Sequence, residues 1–472
     1  MERKMKTGRL LEMLISIAQI SKTDFALNLN MTPSGLSKIL TGKRLPYFKE
    51  KRAFCINAAR CLCEALYARG CYLKLEPVFP VLYDFSSKQE LEVFLSAALN
   101  YCLSYDFALE NNTFDYSDRE LCYLGKKNIL NMLCVIASDC VREASSPLEF
   151  YGSLPLFDER YDDIFQKVRL SDAAFIKNAA FNFFVGKEAL DRACEQSFAN
   201  VLNAIVKAQE SLDLILWSTE GLDGQPFLLL KGQFLLLFNL QLDGMHMLTH
   251  VSHRGYLSMF YNALMQKPVN KMSYGKSEAL EALRERPAFL SELAQRGIEA
   301  VYNFVSIGYM LKKEEISAGF PALDEGAAGM VSLLHSALSP NTAFYVTLDA
   351  MVRFFSTGKA IVPFIGTLDL PQHERAPYLK RLDGFIGETS VANIKFLNTE
   401  EFSQTAVLCA RGLSLVYTID PSRGYEKAHL LRTDAVPDAL RRELAENALV
   451  FMDFNADLWD TYLEGLALLA GR

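Results

Sequence analysis

The sequence predicts a multidomain protein with an all-α head over residues 1–75, a helical middle region over 76–211, and a C-terminal α/β domain over 212–472 whose sheet is largely parallel. Three observations carry this. The first fifty residues repeat a capped-helix pattern. The stretch from Ser87 to about Ser211 is mostly helix-periodic. After Ser211, β-rich runs alternate with helical ones. A chain of 472 residues is too long for one small domain. Half of it is hydrophobic, with 32 Phe and 20 Tyr, which supplies large cores and excludes a disordered polymer.

In the head, an amphipathic helix over about residues 8–18 offers Leu11, Leu14 and Ala18 on one face. The segment from Ile20 to Pro46 then reads as two helices and a tight turn. Ser21 is the first N-cap, with Asp24 three residues on, and Ile20 and Phe25 occupy the two places of a hydrophobic staple. This helix runs to about Leu29. Thr32 is the second N-cap and Pro33 the first helical residue, where its missing N–H costs nothing. Met31 and Leu36 form the second staple, and Gly42 stops the helix shortly before Pro46. Asn30 falls where the turn needs a left-handed residue. Ala26 is small where the helices must approach, and Leu36 and Ile39 face inward. The outward face of the second helix is then Pro33, Ser34, Ser37 and Lys38, with Lys43 and Arg44 just past its end. Residues 50–75 continue as helix and complete the bundle.

Charge is unevenly placed. Residues 1–60 hold 12 Lys/Arg against four Asp/Glu, a net of +8, so the remainder carries −15 of the total of −7. A basic head attracts a polyanion by steering and counterion release, while the acidic body repels it.

The segment resembles the helix-turn-helix of the phage-repressor and Cro-like (Xre) family. The likeness rests on Ala26, Asn30, Leu36 and Ile39, on the run Ser34-Gly35-Leu36-Ser37-Lys38, and on Thr41-Gly42-Lys43-Arg44. It covers under a tenth of the chain. Two positions depart: many members have Gly at the position of Asn30 and a polar reader at that of Pro33. The resemblance implies that Thr32, Pro33, Ser34, Ser37 and Lys38 lie along a recognition surface. A recognition helix presents its N-terminal residues to base edges, where Ser donates or accepts and Lys donates to guanine. Lys43 and Arg44 suit phosphates, which position without specifying. The expected partners are double-stranded DNA, a second copy of the chain as a homodimer, and a small-molecule or protein effector. No membrane partner is expected, and the expected location is cytoplasmic. A signal peptide is not expected after the charged start MERKMKTGR. The most apolar stretch, Phe227–Leu240, is shorter than the roughly 20 residues a span needs.

Beyond the head, Pro77 and Pro80 mark a boundary. Residues 186–211 read as one long amphipathic helix with Leu190, Cys194, Phe198, Val201 and Ile205 near one face, either core or a dimer contact. Expected strands are 212–217, 245–251, 343–348, 393–397, 405–410, 413–418 and 449–454. Expected helices include 254–266, 276–296 and 456–469. No phosphate-binding glycine loop, nucleophile elbow or dinucleotide fingerprint is present, so the catalytic, cofactor and metal expectations are none. His246 and His250 share one face of a strand, with His253 in the loop after it, which favours packing or ligand contact over metal. Cys55, Cys61, Cys63 and Cys71 lack a C-x2-C pair and read as reduced residues of a helical linker. Asp453 and Asp457 have no partner motif. The sequence thus points to a ligand-responsive transcriptional regulator. Two rivals stay open: an enzyme that represses its own gene, and an interaction module anchored to DNA by its head.

Overall fold

The computed structural model describes residues 5–110, 121–143, 147–170, 179–212, 214–221, 224–241, 245–305, 308–321, 323, 326–388, 394–400, 402–420, 422, 424–446, 451–453 and 456–471. The chain forms two compact units: Met1–Phe184 with Lys207–Ile215 and Asp223–Pro268, and Val185–Val206 with Leu216–Leu222 and Val269–Arg472. It is a multidomain α/β protein with mixed sheets.

The first unit begins with α1 (Thr7–Ala18), α2 (Lys22–Asn28), α3 (Pro33–Leu40) and α4 (Lys51–Ala68). They are followed by α5 (Lys88–Glu110) and α6 (Lys126–Glu143), and α4 packs along α5. Two hydrogen bonds cap α5: Ser87 Oγ accepts from the Glu90 N–H at 3.2 Å, and the Glu90 carboxylate accepts from the N–H of Ser86, the residue before the cap, at 2.7 Å. The inward face of α5 carries Leu91, Phe94, Leu95, Ala98, Leu99 and Cys102 at three- and four-residue steps. One charged residue, Asp106, lies on the same buried face.

The strands in chain order begin β1 (Val81–Tyr83), β2 (Leu121–Leu124), β3 (Leu148–Gly152), β4 (Val168–Leu170), β5 (Ala179–Gly186), β6 (Ile215–Thr219), β7 (Phe227–Leu230), β8 (Phe234–Asn239) and β9 (Met247–Val251). In the first unit β5, β3, β7, β8, β9 and β2 lie side by side in that order, with β3 and β5 parallel and the other neighbours antiparallel. The apolar stretch weighed as a membrane span is the β7–β8 hairpin, turned at Gly232 with φ 72°. No helix among the described residues is long and apolar enough to cross a membrane. The middle region is therefore not all helix, because β1 to β5 fall within it. Their apolar runs are short and acquire a hydrogen-bonded edge only from distant segments such as β7 and β9.

The second unit is built on β11 (Ser273–Tyr274), β12 (Ile298–Asn303), β13 (Ala343–Thr347), β16 (Ile394–Leu397), β17 (Thr405–Ala410), β18 (Leu413–Asp420), β19 (Tyr425–Leu431) and β20 (Phe451–Asp453), in the order β11-β19-β18-β17-β12-β13-β16-β20. A strand β10 (Val269–Lys271) pairs with the end of β6, and a hairpin joins β14 (Lys359–Val362) to β15 (Gly366–Asp369). The expectation of a largely parallel sheet is corrected here: two of the seven pairings, β12 with β13 and β13 with β16, are parallel. The physical reason is link length. Two residues join β17 to β18 and four join β18 to β19, too few for a crossover. Both faces of β17 are buried, as befits a central strand.

Two expected long helices are broken. Residues 186–211 become helices Lys187–Gln196 and Phe198–Leu212, parted at Ser197, whose Oγ accepts from the Asn200 N–H at 3.2 Å. Glu443 accepts from the Phe198 and Ala199 N–H groups at 2.5 and 3.2 Å and so caps the second piece. All five residues expected on one face are buried. Residues 276–296 become Lys276–Glu285 and Phe289–Gln295, broken around Pro287. The strand expected at 212–217 begins at Ile215 and that at 245–251 at Met247. Asn393 and residues 449–450 and 454 of two expected strands lie outside the described residues, as does Gly244.

Candidate nucleic-acid interface

The three short helices of the head end alike. Each passes into a left-handed residue, Gln19 at φ 53°, Asn30 at φ 54° and Gly42 at φ 71°. At each end two N–H groups turn back onto the last carbonyls: Ile20 to Ile15, Met31 to Ala26 and Lys43 to Lys38 are the longer loops, at 3.2, 2.9 and 2.8 Å. These are Schellman closures, and they fix where the next segment departs. Asn30 thus adopts the conformation expected of it. The caps also match: Ser21 Oγ accepts from the Asp24 N–H at 3.0 Å, and Thr32 Oγ1 from the Gly35 N–H at 3.1 Å.

Packing orients α3. Leu36 and Ile39 are buried with Phe25 and Ala26 of α2 and Leu10, Leu11, Leu14 and Ile15 of α1. Gly8 permits the closest approach, since a Cβ there would lie 2.3 Å from the Leu40 carbonyl oxygen and 2.8 Å from that of Ile39. Thr32, Pro33, Ser34, Ser37, Lys38, Lys43 and Arg44 are consequently all exposed on or beside one helix. Their roles differ. The Thr32 hydroxyl is engaged as the cap and Pro33 offers no donor, so Ser34, Ser37 and Lys38 are the polar side chains of the face with no hydrogen-bond partner among the described residues. Lys43 and Arg44 stand at the closure after α3, where both N–H groups reach the Lys38 carbonyl oxygen. The Arg44 guanidinium lies 5.1 Å from the centre of the Tyr47 ring.

The sequence reading missed the continuation of this surface. Tyr47 is 65 % and Phe48 71 % exposed, with exposed Lys49 and Arg52 beside them. The aromatic pair Tyr47-Phe48 followed by the basic residues Lys49, Lys51 and Arg52 after Pro46 was the available signal. Lys51 differs from its neighbours: its ammonium donates to Ser104 Oγ, and burial lowers its pKa. Also missed was the clamp behind the head. Asp106 of α5, fully buried, accepts from the Lys6 and Thr7 N–H groups at 2.8 and 2.7 Å, capping α1 from outside the head. The Lys6 ammonium meets Asp139 of α6 at 2.5 Å, and Arg142 joins Asp139 at 3.2 Å. No local pattern could have revealed partners about a hundred residues away.

The other candidates do not converge on this surface. Cys55, Cys63 and Cys71 are buried and Cys61 half-buried; burial raises the Cys55 and Cys63 thiols to about 12 and about 11. His246 is half-buried ahead of β9 and His250 buried within it, while His253 Nδ1 caps the helix Arg254–Met265 by accepting from the Tyr256 N–H at 3.2 Å. Burial lowers the His250 pKa to about 4. Among the described residues no group of three or more His, Cys, Asp or Glu side chains is placed to hold a metal. None of the known family models, curated proteins or solved structures matches the chain.

Proposed function

We infer that this protein is a sequence-specific transcriptional regulator that reads double-stranded DNA with an Xre-like helix-turn-helix and acts as a homodimer. A ligand or protein partner sets its activity. The supporting observation is the outward face of α3. Ser34, Ser37 and Lys38 stand exposed on a helix seated by Leu36 and Ile39, with Lys43 and Arg44 at its end, in the basic part of an otherwise acidic chain. Short hydroxyls and a lysine on one helix face suit base edges, and cations beyond the helix suit phosphates. One such helix reads only a few base pairs, hence the homodimer. The test uses the full chain, because Asp106 caps α1 from beyond residue 75. Genomic fragments retained by the purified protein are sequenced, and its mass is measured by light scattering with and without the recovered DNA. A shared, dyad-related motif and a dimer are expected. Retention without any common motif refutes sequence-specific reading, and a monomer in both states refutes the dimer.

A further inference from the structure

Three arginines of the second unit, Arg286, Arg296 and Arg432, gather at one end of its sheet with few carboxylates to match them. Arg432 directly follows β19, and β19 pairs with β11, which carries the half-buried Tyr274. Arg286 and Arg296 follow the helices Lys276–Glu285 and Phe289–Gln295. Arg296 also borders the turn between β17 and β18: a Cβ at Gly412 would lie 4.0 Å from its Nη1 and 3.9 Å from Asp434 Oδ1. Asp434 is engaged with that turn, where it accepts from the Gly412 N–H at 2.7 Å. Arg286 is paired with Glu292. Among the described residues Arg296 and Arg432 pair with no carboxylate. Arg432 is half-buried, and its Nε is closed off from solvent without a hydrogen-bond partner. Arg286 and Arg296 are exposed, so the cluster opens to solvent. Burial lowers the Arg432 pKa, the charges of Arg296 and Arg286 lower it further, and Tyr274 opposes them.

A lysine or histidine in this position could shed its proton, but a guanidinium keeps its charge, so the repulsion among the three is relieved only by an anion. A buried Nε–H left unpaired is costly as well, and an acceptor oxygen beside it removes that cost. Guanidinium forks match the oxygens of a phosphate, and the bonds are charge-assisted. The occupant should be small. Beyond residue 60 the chain carries a net of −15, which repels a polyanion over long range, whereas a single phosphate group responds mainly to the charges beside it. We propose that Arg432, Arg296 and Arg286, with the Tyr274 hydroxyl beside them, bind a small phosphate ligand: inorganic phosphate or the phosphate group of a monoester. The Arg432 Nε–H donates from the closed side and Arg286 and Arg296 from the open side. The site deepens the ligand-responsive part of the regulator reading and rests on it only for its link to DNA.

Inorganic phosphate and methyl phosphate are titrated calorimetrically into the full-length protein without DNA, in chloride buffer of low ionic strength. The same titrations are run on Arg432→Gln, Arg296→Gln and Arg192→Gln. Arg296 is exposed, so its variant keeps the fold even if Arg432→Gln does not, and far-ultraviolet dichroism checks both. Arg192 is an exposed arginine of the helix Lys187–Gln196 and serves as the control for a general change of charge. Inorganic phosphate binds the parent saturably, about tenfold or more weakly to Arg432→Gln and Arg296→Gln, and unchanged to Arg192→Gln. Equal binding of methyl phosphate identifies a monoester as the ligand, and its exclusion identifies the free ion; both uphold the site. Absence of saturable binding of either anion overturns the proposal. So does binding indifferent to Arg432→Gln and Arg296→Gln, or a loss that Arg192→Gln shares. If phosphate does not bind and the two variants instead lose affinity for a scrambled duplex, the cluster belongs to a nucleic-acid surface and the proposal falls. DNA takes no part in the phosphate titration, so its failure leaves the DNA reading standing, and a protein that ignores DNA can still return the phosphate result.

Discussion

Gly8→Ala tests whether the seat of α3 is as tight as its geometry implies. At an open helical position the change is favourable by about 0.5–1 kcal/mol, because alanine loses less chain entropy on folding. Gly8 is not open. The new methyl would lie 2.3 Å from the Leu40 carbonyl oxygen and 2.8 Å from that of Ile39. Reaching ordinary van der Waals distance requires α1 and α3 to part by roughly 1 Å. The obstacle is backbone at the end of α3, which cannot rotate aside as a side chain would. Overpacking of this kind costs about 1–3 kcal/mol, so the propensity gain is outweighed and a net loss of about 1–2 kcal/mol is expected. Gly384 supplies the control, because it is an exposed helical glycine with nothing within 4 Å of its added Cβ. Gly384→Ala should stabilise by about 0.5–1 kcal/mol. Urea denaturation gives both free energies, and hydrogen exchange of peptides covering α1 and α3 localises the loss. If Gly8→Ala stabilises as Gly384→Ala does, the close α1–α3 approach is wrong, and with it the argued orientation of the α3 face.

Lys38→Ala should cost about 1–3 kcal/mol on the cognate duplex and relax sequence choice, whereas Arg44→Ala should weaken cognate and scrambled duplexes alike and lower the salt slope by roughly one unit per head. Fluorescence anisotropy across a salt series separates the two, and equal losses on both duplexes for Lys38→Ala refute the assigned face. At Asn30, with φ 54°, a β-branched residue is strained, so Asn30→Val should cost about 1–2 kcal/mol in urea denaturation. Asn30→Gly should stay within about 1 kcal/mol of the parent, and a harmless valine would contradict the left-handed turn. His250 is held neutral by burial, with its pKa lowered from 6.5 to about 4. Its contribution to stability is therefore present above pH 6.5 and lost as pH falls towards 4, by roughly 3 kcal/mol in all. The stability of the parent relative to His250→Leu, measured from pH 7 to 4.5, should fall with acid, and a constant difference would count against this.

The head was legible because its signals are local. Caps, staples and a left-handed turn residue all act within about five residues, so Ser21, Asn30, Thr32 and Gly42 could be read one by one, and the structure places each as expected. The strands of the second unit were legible where both faces are apolar, as in β17 and β18. They were missed where one face is charged or mixed, as in β12 with Glu299 and β19 with Glu426 and Lys427. Which strands are neighbours, and in which direction, is not a local property, and the largely parallel sheet was the resulting error.

The sequence by itself determined the three short helices of the head, their terminations, the exposed polar face of α3 and the basic charge that accompanies it, since each follows from spacing and side-chain chemistry inside a single turn or helix. Only the tertiary structure decided that Gly8 must be glycine, that Asp106 and Asp139 hold the base of α1, and that Lys51 is turned away from its basic neighbours to meet Ser104. It also decided that the Asn303 amide oxygen and the Tyr309 hydroxyl are buried without a hydrogen-bond partner among the described residues. These depend on which residues distant in the chain are brought within a few ångströms, and hydrophobic burial selects that pairing for the molecule as a whole rather than for any one segment.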